Sequence, residues 1–250
     1  NIYSINGVDT SAKGYEVMSG TSMAAPQVAG MAAVVAQYIR ENGLENKTGL
    51  SARQLAQSLL MSTAVPMLDA NGSYYPVIQQ GSGLANVGAA VSADSYITMA
   101  DGSNAGAADG KVKVELGDDP AREGAYTATF TLNNLTDTEK TYALSAEIMT
   151  NGVTEIDGHA LVTDEMVKLP ADVTFSTGDT VTVPASGSAS VTVTVAVSAE
   201  TAAEMEAKGF VNGFYIEGYV YAEAMADGEG QVGASHSIPM LGWYGCWTDP

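Results

Sequence analysis

Cysteine is almost absent from this chain. Its 250 residues hold one, Cys246, so no intrachain disulfide can form and the fold rests on packing and hydrogen bonds. One thiol neither marks nor excludes an oxidising compartment. Set among Trp243, Tyr244 and Trp247, it reads as a buried small hydrophobe. Basic residues are scarce as well. Ten Lys and Arg stand against 29 Asp and Glu, a net charge of −19, which argues against nucleic acid bound through its phosphates. Histidine occurs only at His159 and His236, and both read as surface or turn residues. No run is fit to span a membrane, since Met23 to Ile39 is too short and is broken by Pro26, Gln27 and Gln37. No segment has the ligand spacing of an EF-hand. The chain opens Asn1-Ile2-Tyr3-Ser4, with no initiator methionine and no signal-peptide pattern. It reads as a segment of a longer protein.

What is present divides in two. Residues 1–98 carry four basic and six acidic groups, a net of −2. Residues 99–250 carry six basic and 23 acidic groups, a net of −17. The hydrophobic pattern changes at the same place. The first part has short strands at 1–5 and 15–18, then a small-residue helix over 22–41. Asn42-Gly43 suits that helix's C-terminus. Ser51-Ala-Arg-Gln54 has the form of a capping box, predicting a helix to about Thr63. A loop covers 66–76, and Asn86 is placed to cap a helix over 86–92. Asp101 to Gly110 is rich in Gly, Ala and Asp and reads as a linker. Beyond it, residues alternate with period two over 111–116, 126–132, 142–148, 190–197 and 215–221, with shorter candidates at 179–183 and 237–241. That pattern predicts an all-β antiparallel sandwich, interrupted by a helix over 199–208.

The chemistry concentrates in Gly20-Thr-Ser-Met-Ala-Ala-Pro-Gln-Val-Ala-Gly30. The run reads as a turn feeding a buried helix, with Ser22 at the helix N-terminus and Pro26 in its first turn. The first backbone N–H groups of a helix lack intrahelical partners, and the macrodipole adds partial positive charge there. Such donors can receive the oxyanion of a carbonyl that Ser22 attacks. A serine after Gly-Thr is also an ordinary helix N-cap. The full run, with Met23, Pro26 and Gly30 in place, is what points to chemistry.

This stretch resembles the nucleophile segment of the subtilisin-like serine proteases, G-T-S-M-A-x-P-H-V-A-G. Ten of the eleven positions fit, counting the free one; Gln27 stands where the family has a non-catalytic histidine. The strand "N-I-Y-S", the approach "Y-x-x-M-S-G-T-S" and the segment Gln80-Gly-Ser-Gly-Leu-Ala-Asn-Val87 are similar to family segments too. The later part, through Phe210 to Tyr219 and Ile238 to Gly245, resembles the fibronectin-III-like domain that follows the catalytic domain in bacterial cell-envelope proteinases.

The resemblance implies an α/β remnant of a subtilisin-like catalytic domain, a parallel sheet with helices, over 1–98, then a fibronectin-III-like sandwich over 99–250 that folds alone. It implies an extracellular endopeptidase, secreted or cell-wall-attached, that hydrolyses polypeptide substrate through an acyl-enzyme on Ser22. Gly20 and Thr21 would flank the scissile bond and Met23 would abut the nucleophile. In that family the triad aspartate and histidine, and the oxyanion asparagine, all lie well before the serine. They would belong to an upstream half of the catalytic domain, and this chain alone would be inactive. No cofactor or metal is implied for the chain, and calcium stays open for the parent protein. The alternative is a non-catalytic spacer or protein-docking module.

Overall fold

The computed structural model describes residues 2–7 and 14–248. The first strands are β1 (Ile2–Ile5) and β2 (Tyr15–Met18). Four helices follow: α1 (Thr21–Glu41), α2 (Leu44–Thr48), α3 (Ala52–Ser62) and α4 (Val77–Gln80). Then come α5 (Val87–Ser92), β3 (Ser95–Met99), β4 (Val114–Asp119) and β5 (Ala125–Asn134). The chain continues through β6 (Lys140–Ile156), β7 (His159–Lys168), β8 (Asp172–Phe175), β9 (Thr180–Val183) and β10 (Ser188–Ala196). It ends with α6 (Ala199–Ala207), β11 (Phe214–Ala224) and β12 (His236–Tyr244).

Local chemistry sets the helix ends. Ser51 accepts from the N–H of Gln54, whose side chain accepts from the N–H of Ser51, so the capping box forms as its sequence predicts. Asn86 caps α5 by accepting from the N–H of Ala89. Ser198 caps α6 in the same way through Thr201. Gly43, at φ 63°, lets the chain turn out of α1 directly into α2, a helix the sequence pattern did not show.

Two sheets make the second half. One runs β3-β5-β10-β8; the other runs β4-β12-β11-β6-β7, with β9 also paired to β6. Alternation along β10 places Val191, Val193 and Val195 inward, opposite Ile216, Val220 and Ile238 of the facing sheet. Phe130, Leu132 and Tyr142 complete this core. Burying one such side chain is worth about 1.5–3 kcal/mol, so the inter-sheet core is the main driving term. The expected antiparallel sandwich needs one correction, because β4 runs parallel to β12. The hairpin joining β6 and β7 was not legible from period-two runs, since most of β7 is exposed and carries polar residues on both faces. Its turn has Asp157 at φ 53° and Gly158 at φ 77°, the two positive φ values of a two-residue hairpin loop.

The first half packs on this sandwich through helices. Leu55 and Leu59 of α3 are fully buried with Val35 and Ile39 of α1, Ala90 of α5 and Tyr96 of β3. Among the described residues the first half holds no parallel sheet; β1 and β2 form an antiparallel hairpin. The expected division at 98/99 falls inside β3, which pairs along its length with β5. The expected linker over 101–110 is packed rather than loose. Ser103 and Asn104 are buried, Asn104 Nδ2 donates to the carbonyls of Lys111 and Lys113, and Gln54 and Gln57 donate to the carbonyls of Ala108 and Asp109.

His236 corrects the sequence reading most sharply. It is buried, not at the surface. Its Nδ1 lies 3.0 Å from Ser62 Oγ on α3 and its Nε2 lies 2.8 Å from Ser95 Oγ on β3. Tyr142 Oη donates to the same Ser95 oxygen at 2.8 Å, and Ser237 Oγ donates to the carbonyl of Ala64. One imidazole thus ties α3, β3 and β12 together. Burial pushes its pKa down to about 4, against a small opposing pull from Asp94.

Two outcomes follow. A piece beginning at residue 95 keeps β3 and Ser95 and is expected to melt several degrees above one beginning at 99; equal melting temperatures would place β3 outside the cooperative unit. His236 is neutral when folded and has its ordinary pKa of 6.5 when unfolded. Between about pH 6.5 and 4 the unfolded chain therefore holds the extra proton. Stability is full above that window and falls by up to about 3 kcal/mol as the pH drops through it. Urea melts across pH 4–7 check this, with His236→Gln expected to flatten the slope.

Candidate active site

The β1–β2 hairpin, with Ile2 opposite Met18 and Ile5 opposite Tyr15, delivers the chain to Gly20. Gly20 sits at φ 146°, ψ 165°, where a side chain would be strained. Its carbonyl accepts from the N–H groups of Met23 and Ala24, both at 3.1 Å. Gly20 is therefore the N-cap of α1, Thr21 the first helical residue and Ser22 the second. The expectation that Ser22 begins the helix is off by one residue. No side chain caps this end, and the first turn holds no acidic residue. The site thus keeps the helix's partial positive charge beside an exposed Ser22 hydroxyl.

Pro26 is the sixth residue of α1, in the second turn rather than the first. Proline has no N–H, so it removes the bond that would have gone to the Ser22 carbonyl. The interruption falls on the residue whose chemistry is in question. Met23 is half-buried, and its Sδ stands 3.7 Å from where a Cβ on Gly20 would be.

The small-residue helix is not buried along its length. Only Val35 and Ile39 are; Ala24, Ala25, Ala29, Gly30 and Ala33 are exposed, and Val28 and Val34 are about half exposed. Beside it lies a cavity of about 500 Å³, lined by Ile2, Gln27, Val28, Met31, Met67 and Leu84 among others. Gln27, the one departure from the motif, opens onto this cavity. Gly83 closes its far wall. A Cβ there would lie 2.3 Å from the carbonyl oxygen of Val65, with which Leu84 exchanges a pair of backbone hydrogen bonds.

No general base is brought to Ser22 by the two histidines. Both ring nitrogens of His236 are engaged inside the core. His159 is exposed at the start of β7, on the surface. Among the described residues no group of three or more His, Cys, Asp or Glu is placed to hold a metal ion, and no helix is long and apolar enough to cross a membrane. Cys246 is half-buried, with its sulfur 3.2 Å from Thr248 Oγ1, so it is less enclosed than expected.

Residues 2–108 match the Subtilase family model and residues 114–241 match the Fn3-like domain model. Over half of the chain is thus an Fn3-like domain, and the segment before it is similar to the subtilases. It is 28% identical to the PII-type proteinase of Lactococcus lactis subsp. cremoris, over 94% of this chain and 12% of that protein. It is 28% identical to the C5a peptidase of Streptococcus pyogenes serotype M6, over 92% of this chain and 18% of that protein. It is 32% identical to the minor extracellular protease Vpr of Bacillus subtilis, over 56% of this chain and 15% of that protein. The chain therefore spans less than a fifth of each of these relatives.

The seam between the subtilase segment and the Fn3-like domain holds a residue that the sequence reading passed over. Glu217 on β11 is fully buried. Its Oε2 accepts from the N–H of Val77 at 2.5 Å and of Ile78 at 3.4 Å, at the start of α4. Burial raises its pKa, and those two N–H groups pull it back only in part. On the same face of β11, Tyr219 Oη donates to the carbonyl of Gly81, and Tyr221 Oη lies 3.0 Å from Tyr74 Oη. The signal was present in Tyr215-Ile-Glu-Gly-Tyr-Val-Tyr221: one face of that strand is aromatic and polar, unlike the apolar face turned to the core.

Glu217→Ala leaves the buried Val77 N–H unpaired, a loss of about 1–3 kcal/mol. Glu217→Gln keeps an acceptor of the same shape and is expected to lose clearly less. Chemical denaturation of the three proteins checks this order, and equal losses would show that the bond to α4 contributes nothing.

Proposed function

We propose that this chain is the nucleophile-bearing part of a secreted or cell-wall-attached serine endopeptidase, with Ser22 forming the acyl-enzyme. The observation that carries the reading is Ser22 itself, an exposed hydroxyl at the second position of an uncapped helix behind a strained glycine. The N–H groups of that first turn are the part of an oxyanion hole that a backbone can supply. Gly20 and Thr21 flank the scissile bond, and Met23 packs behind the nucleophile. The Subtilase match over 2–108 and the proteinases among its relatives support the same assignment.

A serine hydroxyl needs a base to remove its proton. In the proposal that base, its aspartate partner and the second oxyanion donor come from polypeptide outside these 250 residues, and the open face of α1 is where that polypeptide packs. Losing triad members leaves catalysis only about 10³–10⁴-fold over water, and a second loss adds little to the first.

The 250-residue chain is therefore expected to show no cleavage of casein and no labelling by a fluorophosphonate probe. A longer form that restores the preceding catalytic sequence is expected to do both, and Ser22→Ala to abolish both. Labelling that survives Ser22→Ala would remove Ser22 from the mechanism. A restored form that never labels would leave a non-catalytic docking module as the better reading.

A further inference from the structure

The structure holds a second concave site, away from the subtilase motif in sequence, at the far end of the six-stranded sheet. The β4–β12 pairing slips there: Leu241 faces Glu115, but Gly242 faces Gly117, so Leu116 is an extra residue on β4. Bulges of this kind re-aim side chains and often mark sites. Gly117 stands at φ 73° with open space where a side chain would be, and a Cβ on Gly242 would strike Leu116 at 2.6 Å. Gly242 makes room for Leu116, and Gly117, with no side chain, lines a trough of about 310 Å³ in the sheet.

Its walls are aromatic. Tyr215, Trp243 and Trp247 all line it, with ring centroids 4.9 Å, 4.8 Å and 5.3 Å apart. The Trp243 ring meets both neighbours edge to face, at 83° and 87°. The platform is fixed in place. Asp119 and Gly245 exchange two backbone hydrogen bonds of 3.0 Å, and the N–H of Trp247 donates to Asp118 Oδ2 at 3.0 Å. Ile78 and Leu241 close the opposite side. Trp247 is 55% exposed and Ile78 56%, so large apolar groups stand open to solvent at a ready-made depression.

The charge at the mouth decides what fits. Glu115 and Asp118 line the trough, and no basic residue does. Lys113 already pairs with Glu115, and Glu115 Oε2 accepts from the N–H of Ala105. Asp118 Oδ1 is thus the carboxylate oxygen left for an incoming partner. A sugar needs several hydrogen-bonding side chains around its ring, and this lining offers few. A neutral apolar group would desolvate two carboxylates for no return. A cation gains on both counts, from the ring faces and from the carboxylates.

We propose that the trough formed by Tyr215, Trp243, Trp247 and Asp118 binds a cationic side chain, the guanidinium of arginine or the ammonium of lysine, presented by a polypeptide. Most of the site lies on β4, β11 and β12 and just beyond β12, and Ser22 does not line it, so its partner is held by contacts independent of Ser22.

The chain reports on this site directly, because its two tryptophans are both in it. The probe is acetyl-Gly-Arg-Gly-amide, titrated into the intact chain while tryptophan fluorescence is followed. Its control is the same peptide with citrulline, which keeps the shape and loses the charge. A saturable change is expected with the arginine peptide, weakened about fivefold or more by citrulline, by Asp118→Asn and by raised salt. Asn at 118 keeps the acceptor for the Trp247 N–H. Trp247→Ala, at an exposed position, is expected to abolish binding without lowering the melting temperature; binding retained in that variant would overturn the proposal. So would an equal response to both peptides, a response to chitotetraose in place of the arginine peptide, or no saturation below about 10 mM, where an affinity would be too weak to count as recognition.

Discussion

The fold depends on one imidazole kept neutral in a closed interior. His236 offers two nitrogens at opposite ends of a rigid ring, and two serines from different elements meet them, Ser62 on α3 and Ser95 on β3. In the low-dielectric interior such a bond is strong when made and expensive when broken. Helices of the subtilase segment and strands of the Fn3-like domain are therefore fixed to one another by polar contacts that tolerate little displacement. Apolar packing between α3 and β3 supplies bulk stabilisation; the His236 network supplies register.

The remaining contacts between the halves obey the same logic. Glu217 receives the start of α4, Tyr219 holds the carbonyl of Gly81, and Tyr221 meets Tyr74. Each joins β11 to the stretch 74–81, which leads into the cavity beside α1. The outer face of the six-stranded sheet thus supports a wall of the cavity beside α1. Shifting the Fn3-like domain would therefore move that wall.

The opposite condition holds along α1. A helix built of Ala, Gly and Val has little to gain from water and much from close approach to another backbone, yet most of it is exposed here. Packing the open face would desolvate Ser22's surroundings and strengthen every electrostatic interaction there.

Local features are readable from the amino-acid order alone. The nucleophile run, the capping box at Ser51, the Asn86 cap and the period-two strands each rest on neighbours within a few residues, and each has a signature at fixed spacing. The candidate nucleophile was legible for that reason. The rest is set by contacts between distant parts of the chain. That Gly20 rather than Ser22 caps α1 depends on how the hairpin enters. That β4 runs parallel to β12 depends on a crossover that periodicity cannot report, since an alternating strand reads alike in either direction. The burial of His236 and Glu217 is set by partners 140 to 174 residues away in the chain, and no local pattern distinguishes a polar residue that will find such partners from one that will face water.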